Sequence, residues 1–283
     1  MESASRIAKK LGLSELIIGL TVVAIATSAP EFAVSITAAI SDNMSISVGN
    51  VVGSNIFNLG VILGLVALFG SIKTSRIMLL RDGSLLVFTG ILLVIFFADL
   101  TLSLVEGILL SATLVIYIIN LVRQKKEPDE EIPGGEFKWY DILKLIAGVG
   151  IIIFCADKLV ESSSALARLA GISEWMIGIT IVAAGTSVPE LATSIVAVTR
   201  GHHGISVGNL IGSDLFNMLG VLGIASIIRP LTITDKEYIS IILLAVTLII
   251  TFIMIRTGWK ITRLEGIILI AIALARWWIV AYI

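Results

Sequence analysis

Nine apolar stretches of roughly membrane-spanning length recur along the 283-residue chain, at about 15–40, 46–69, 78–98, 102–122, 140–160, 172–199, 205–228, 238–255 and 264–283. A helix needs about 20 such residues to cross hydrocarbon. Strict apolar/polar alternation is missing, so the stretches predict helices and not barrel strands. The first holds Pro30 and Glu31 at its centre and lacks a cleavage site, unlike a removable leader. One long polar segment interrupts the pattern, RQKKEPDEEIPGGEFKWY from Arg123 to Tyr140. Its Pro, Gly and mixed charges predict an exposed linker at 123–139 between two halves, 1–122 and 140–283.

The halves are copies. Residues 12–58 align without gaps on 171–217 at an offset of 159, with 25 identities in 47 positions. GLSELIIGLTVVAIATSAPE matches GISEWMIGITIVAAGTSVPE, and ISVGNVVGSNIFN matches ISVGNLIGSDLFN. Glu106-Gly107 and Glu265-Gly266 pair at the same offset. The second copy starts one stretch earlier, since Tyr140–Val160 precedes Glu161, the counterpart of Glu2. A full unit then has five helices, an odd number, so the copies enter the membrane in opposite directions. The expectation is an all-α membrane protein, an inverted repeat of two five-helix units with nine transmembrane helices present and the first one missing from this chain. Loop charges orient it. Arg6, Lys9, Lys10, Lys73, Arg76, Arg123, Lys125, Lys126, Lys138, Arg200, Arg256, Lys260 and Arg263 fall on one side, and only Arg168, Arg229 and Lys236 on the other. Positive loops stay inside, which puts Met1 and the linker in the cytoplasm and Ile283 outside a cell membrane.

Composition agrees. The chain is 57% hydrophobic and 14% charged, against about 25% charged in soluble domains, so lipid is the expected surroundings. The net charge of −1 and the lack of a basic patch argue against a nucleic-acid partner. Cys155 is alone and cannot form an intrachain disulfide. No phosphate-binding loop, H-E-x-x-H or G-x-S-x-G motif is present, so an ATP-driven pump or a familiar hydrolase is not indicated. Nothing calls for an enzyme, a resident cofactor or an obligatory protein partner.

Glu31 and Glu190 sit mid-stretch, where a charged side chain costs about 2.5–3.5 kcal/mol on insertion scales. A bound cation would offset that cost; the plainer alternative is a protonated or hydrogen-bonded Glu between helices. Pro30 and Pro189 lack an N–H, which frees the carbonyls of Ala26 and Gly185. Freed carbonyls are tolerated in a membrane where they line a cavity. Thr27-Ser28 and Thr186-Ser187 add oxygens, and hard cations such as Ca²⁺ take several at once. The next stretch of each copy carries Asn50, Ser54 and Asn58, or Asn209, Ser213 and Asn217, each trio on one helix face. Gly49/Gly53 and Gly208/Gly212 form GxxxG pairs suited to close helix packing. Asp214 stands where the first copy has Asn55 and faces either the ion path or a polar crevice, the crevice being preferred. Asp157, Lys158 and Glu161 read as the end of a helix, and Arg81-Asp82 and Asp99 as interfacial. Arg276 reads as a snorkelling anchor, and His202 and His203 as solvated loop residues.

At ATSAPE and GTSVPE, each followed by a GN-x-x-GS segment, the chain resembles the prokaryotic sodium/calcium exchangers of the cation/Ca²⁺ exchanger superfamily. The resemblance implies a ten-helix inverted repeat with four ion sites at mid-membrane and antiport of Ca²⁺ against Na⁺. By position, Glu31 and Glu190 would ligate Ca²⁺ with the carbonyls of Thr27 and Thr186. Ser28 and Ser54 with the carbonyl of Ala183 would hold Na⁺ beside Glu31; Ser187 and Ser213 with the carbonyl of Ala24 would do so beside Glu190. Asn58 and Asn217 would complete the middle position. Asn217 departs from the Asp of many relatives, and Ala26 from the usual Gly. A H⁺/Ca²⁺ antiporter is the nearest alternative, though such relatives usually carry a GNA-type motif.

Overall fold

The computed structural model describes residues 13–69, 72–123, 137–169 and 177–282, together with Ser3, Arg6, Ile7, Lys10 and Gly171. Linker residues 124–136, the start of the second repeat at 172–176, Glu2 and Lys9 lie outside the described residues, as do the side chains of Lys73, Asp157 and Glu161.

The apolar stretches are helices. They are α1 (Glu15–Thr27) and α2 (Ala29–Ile40), bent by 48°; α3 (Met44–Phe69); α4 (Arg76–Asp99); and α5 (Leu104–Arg123). After the linker come α6 (Tyr140–Leu169), then α7 (Thr180–Thr186) and α8 (Val188–Thr199), bent by 44°. The last three are α9 (His203–Ile228), α10 (Asp235–Gly258) and α11 (Arg263–Tyr282). Five of these (α3, α4, α5, α9 and α10) are long and apolar enough to cross a membrane, and seven spans result if each bent pair counts as one. α6 and α11 cover the two remaining apolar stretches.

Structural detail repeats at the sequence offset. The bend at Ser28 recurs at Ser187, and the widened π-turn at Phe57–Ile62 recurs at Phe216–Val221. The halves pack across each other: α1 lies on α9, α7 on α3, α5 on the C-terminal part of α9, and α11 on that of α3. Helices α3 and α9 are central, 78% of their apolar windows being buried, whereas only 28% of that of α5 is. The exposed side of α5 is Val105, Ile108, Leu109, Val115 and Ile116, an apolar surface suited to lipid.

Small residues set these approaches, because helices in lipid associate by close contact and not by escaping water. A Cβ on Gly208 would stand 2.6 Å from the Leu16 carbonyl oxygen and 3.1 Å from Gly19 Cα, so α1 and α9 touch backbone to backbone. Gly64 meets Gly266 of α11, and its repeat counterpart Gly223 meets Gly107 of α5.

Short antiparallel pairs join the ends: β1 (Ile72–Lys73) with β4 (Lys260–Ile261), and β2 (Thr101–Leu102) with β3 (Leu231–Thr232). The chain turns through left-handed residues at Asp42, Leu100 and Trp259.

Two sequence expectations change, and a third residue gains partners the sequence does not show. Arg276 does not snorkel. Its side chain is 3% exposed, and its guanidinium has no partner among the described residues. It shares a helix face with Ala273, which packs on Gly60 of α3, and that face is turned inward. His202 is buried too, its Nδ1 lying 2.7 Å from Glu15 Oε1. The helix that covers it is 187 positions earlier in the chain, so the loop's own sequence could not reveal it. Asp82 is fully buried and accepts from Arg81 Nε (2.6 Å), Arg81 Nη2 (2.9 Å) and the Tyr117 hydroxyl (2.9 Å).

Candidate functional site

Each bend is built from its motif. Ser28 leaves helical geometry at φ −83°, ψ 10°, and Ser187 at −86°, 4°. Pro30 and Pro189 occupy the first turns of α2 and α8, where a missing N–H costs nothing. Glu31 and Glu190 therefore stand in the first turns of new helices, whose positive ends favour a carboxylate. Both are fully buried.

The bends interlock. Ser187 Oγ donates to Glu31 Oε1 (3.0 Å), and Ser28 Oγ donates to Glu190 Oε1 (2.9 Å). The expected grouping of Ser28 with Glu31, and of Ser187 with Glu190, is thus crossed: each serine reaches the glutamate of the other half. The crossing follows from the bends facing one another. Ser213 Oγ also donates to Glu190 Oε1 (3.1 Å) and lies 3.4 Å from Thr27 Oγ1. Ser54 Oγ donates to the Ala183 carbonyl (3.3 Å) and lies 3.3 Å from Thr186 Oγ1. The Ala24 carbonyl accepts from Thr27 Oγ1 at 3.3 Å. These residues, expected from sequence to share a site, form one polar cluster between α1/α2, α3, α7/α8 and α9.

Asn50 and Asn209 position it. Asn50 Nδ2 donates to the Glu31 carbonyl (3.2 Å) and Ser35 Oγ (3.0 Å), while its Oδ1 accepts from Thr186 Oγ1 (3.3 Å). Asn209 repeats this with the Glu190 carbonyl (3.5 Å), Ser194 Oγ (3.3 Å) and Thr27 Oγ1 (3.0 Å). Each asparagine fixes a first turn carrying one glutamate against the bend before the other.

Below the glutamates, Asn58 Nδ2 donates to Asp214 Oδ1 (3.0 Å), Asn217 Nδ2 to Asn55 Oδ1 (3.0 Å) and Asn55 Nδ2 to the Asp214 carbonyl (3.3 Å). Asp214 is fully buried within this chain of amides. Sequence reasoning undervalued it because its counterpart, Asn55, is uncharged and no duplicated acid marked the position. Ser35 and Ser194 were missed; their one signal was conservation of type between the two copies.

Five oxygens in this cluster lack a hydrogen-bond partner among the described residues: Glu31 Oε2, Glu190 Oε2, Asn58 Oδ1, Asn217 Oδ1 and Asp214 Oδ2. Neither glutamate pairs with a Lys, Arg or His there. Buried acceptors normally find donors, so five such acceptors, three of them carboxylate oxygens, make this cluster short of donors among the described residues.

Comparison with known proteins gives the same direction. The family described as "Sodium/calcium exchanger protein" matches residues 1–123 and 140–280. The sodium/calcium exchanger MaX1 of Methanosarcina acetivorans is 36% identical over 316 residues, covering 95% of this chain and 89% of that protein. The putative antiporter CaxA of Alkalimonas amylolytica is 36% identical over 281 residues, covering 94% and 88%. Among solved structures, the sodium-calcium exchanger NCX_Mj soaked with 2.5 mM Na⁺ and 10 mM Sr²⁺ superposes with a TM-score of 0.85 at 29% identity, covering 97% of this chain and 90% of that one.

Proposed function

Since the chain belongs to the sodium/calcium exchanger family, we propose that it exchanges Ca²⁺ for Na⁺ by alternating access at one shared site held by Glu31 and Glu190. The observation that carries this is the crossed pairing of Ser28 with Glu190 and Ser187 with Glu31. It ties both carboxylates into one cluster and leaves each with a bare oxygen and no protein cation.

One Ca²⁺ cancels the charge of two glutamates. Its oxygen ligands would be the two carboxylates with the Thr27 and Thr186 carbonyls, in keeping with its demand for several hard donors. Na⁺ would use the same carboxylates, with Ser54 and the Ala183 carbonyl on one side and Ser213 and the Ala24 carbonyl on the other. Ser28 and Ser187 bridge the two sides, and Asn58 and Asn217 close the middle. Ca²⁺ and Na⁺ cannot load together. The bare site, with uncancelled charge in a low-dielectric interior, is too costly to switch between sides. That exclusion couples the two fluxes. If three Na⁺ exchange for one Ca²⁺, transport moves net charge.

The reading includes an inverted repeat with residue 1 and the linker cytoplasmic and the C-terminus outside. Several contacts support the sidedness of the loops, because each joins loops that this topology assigns to the same side: β1 with β4, Glu15 with His202 and Arg6 with Asp141 on one, and β2 with β3 and Asp42 with Arg229 on the other; the charge bias of the loops assigns the first side to the cytoplasm.

The test is Ca²⁺ flux in proteoliposomes. A Na⁺ gradient at equal pH is expected to drive Ca²⁺ uptake. Uptake driven by a pH gradient alone, with Na⁺ ineffective, would replace this reading by H⁺/Ca²⁺ antiport.

A further inference from the structure

We propose that Arg276 is a fixed counter-charge to the ion site, set against its acids from the far side of α3, and that it limits how tightly a cation is held in proportion to that cation's charge. This rests on the exchanger reading and adds to it a residue outside the ligand cluster.

The buried ionisable side chains sort into two groups. Asp82, Asp141 and His202 are each paired, with Arg81, Arg6 and Glu15. Glu237 caps the start of α10, where its Oε2 accepts from the Thr234 N–H (2.6 Å). Glu31, Glu190, Asp214 and Arg276 are buried without a partner of opposite charge among the described residues. Arg276 is the one cation of that set. Its Nε, Nη1 and Nη2 have no acceptor there, nor has Trp277 Nε1. A buried ion of one sign is costly unless charge of the other sign lies in reach.

The ion site is in reach. Trp277 stacks on Phe57 of α3 with ring centroids 6.1 Å apart. A Cβ on Gly60 would stand 2.5 Å from Ala273 Cβ. The turn of α11 that carries Arg276 is therefore laid along the turn of α3 from Phe57 to Gly60. Asn58 belongs to that same turn of α3 but lies roughly 100° round the helix from Phe57 and roughly 160° from Gly60. On that far side its Nδ2 donates to Asp214 Oδ1 (3.0 Å). One helix, about 10–12 Å across with its side chains, separates the guanidinium from the acids at the same depth.

Charge balance gives the arrangement its purpose. Three carboxylates set against one guanidinium leave two formal negative charges, which a single Ca²⁺ cancels. Asp214 thus finds its counter-charge within the protein and asks for no second ion beside Ca²⁺. The two departures from the repeat match each other: where the second copy has Asp214 and Arg276, the first has the neutral Asn55 and Tyr117. At about 12 Å and an effective dielectric constant of about 20, the guanidinium opposes each unit of bound positive charge by a factor of about ten in affinity, hence about 100 for a divalent ion. A centre with three acids can then still release Ca²⁺.

The experiment is equilibrium ⁴⁵Ca²⁺ binding, with displacement by Na⁺, to detergent-solubilised wild type, Arg276→Gln, Arg276→Met and Arg276→Lys at fixed pH. The two neutral variants should bind Ca²⁺ about 100-fold more tightly, and the Na⁺ concentration that half-fills the site, corrected for competing Ca²⁺, should fall about tenfold. Arg276→Lys keeps the charge and should stay within about threefold of the wild type for both ions. A purely structural role for Arg276 would not scale with the charge of the ion. Unchanged or weaker Ca²⁺ binding in the neutral variants, the result also expected if an outside anion neutralised the guanidinium, overturns the proposal, as do equal shifts for Ca²⁺ and Na⁺. A second arm needs no variant to fold. Wild-type ⁴⁵Ca²⁺ exchange between equal concentrations in proteoliposomes should run at one rate with and without an imposed membrane potential, because the Ca²⁺ load leaves the centre neutral; potential-dependent exchange overturns the proposal too. Absence of Ca²⁺ binding by the wild type would strike instead at the exchanger reading.

Discussion

Replacing Gly208 by Ala tests the backbone contact that holds α1 against α9. The added methyl would lie 2.6 Å from the Leu16 carbonyl oxygen, 3.0 Å from the Leu20 nitrogen and 3.1 Å from Gly19 Cα. The first distance is about 0.8 Å short of the 3.4 Å at which ordinary contact begins, and all three neighbours are backbone, so no side chain can swing aside. Overpacking costs about 1–3 kcal/mol, and this clash belongs at the top of that range. Ala gains back about 1 kcal/mol over Gly in helix propensity, leaving a net loss of about 2 kcal/mol. At about 2–4 °C per kcal/mol for a chain of this size, the apparent melting temperature in detergent should fall by about 4–8 °C. Gly150→Ala is the control: it is also helical, but nothing lies within 4 Å of its added Cβ. Its melting temperature should be no lower than that of the wild type. If Gly208→Ala melts no lower than Gly150→Ala, the close approach of α1 and α9 is wrong, and with it the alignment of Ser213 on Thr27.

Three further outcomes follow from the same geometry. Tyr117→Phe removes one donor from the buried Asp82 carboxylate and should cost about 1.5–3 kcal/mol, the range for hydrogen bonds to charged groups, read as a lowered melting temperature with Ca²⁺ transport retained. Ser28→Ala and Ser187→Ala each remove a hydroxyl from the opposite glutamate; each should raise the Na⁺ concentration for half-maximal exchange about tenfold, and unequal effects would contradict the crossed pairing. Arg229→Ala breaks an ion pair whose members are 49% and 64% exposed, so stability should change by less than about 1 kcal/mol and transport rates should be unaltered.

Much of this organisation is legible along the chain because the duplication makes each signal appear twice. A Pro-Glu pair inside one apolar stretch is ambiguous, but Pro30-Glu31 and Pro189-Glu190 at a constant offset mark both bends and both buried acids. What stayed hidden depends on partners distant in sequence. Nothing near Ser28 says that its hydroxyl reaches a glutamate 162 positions on. Asp214 carries no duplicated acid, and its significance emerges only where Asn58 and Asn55 of the other half close around it. Arg276 lies seven positions from the chain end and looks interfacial, until the face it shares with Ala273 is seen packed on α3. Periodicity reports which residues are apolar; it does not report which polar side chain an inward face brings along.

The most direct test is equilibrium ⁴⁵Ca²⁺ binding to detergent-solubilised wild type, Glu31→Gln, Glu190→Gln and the double variant. If one ion is gripped by both carboxylates, either single change should weaken binding by about 100-fold or more, since removing one partner of a buried charge pair costs about 3–5 kcal/mol. The double variant should then bind hardly worse than the singles. Wild-type affinity in either single variant, or losses that simply add in the double, would mean that the two glutamates do not share an ion.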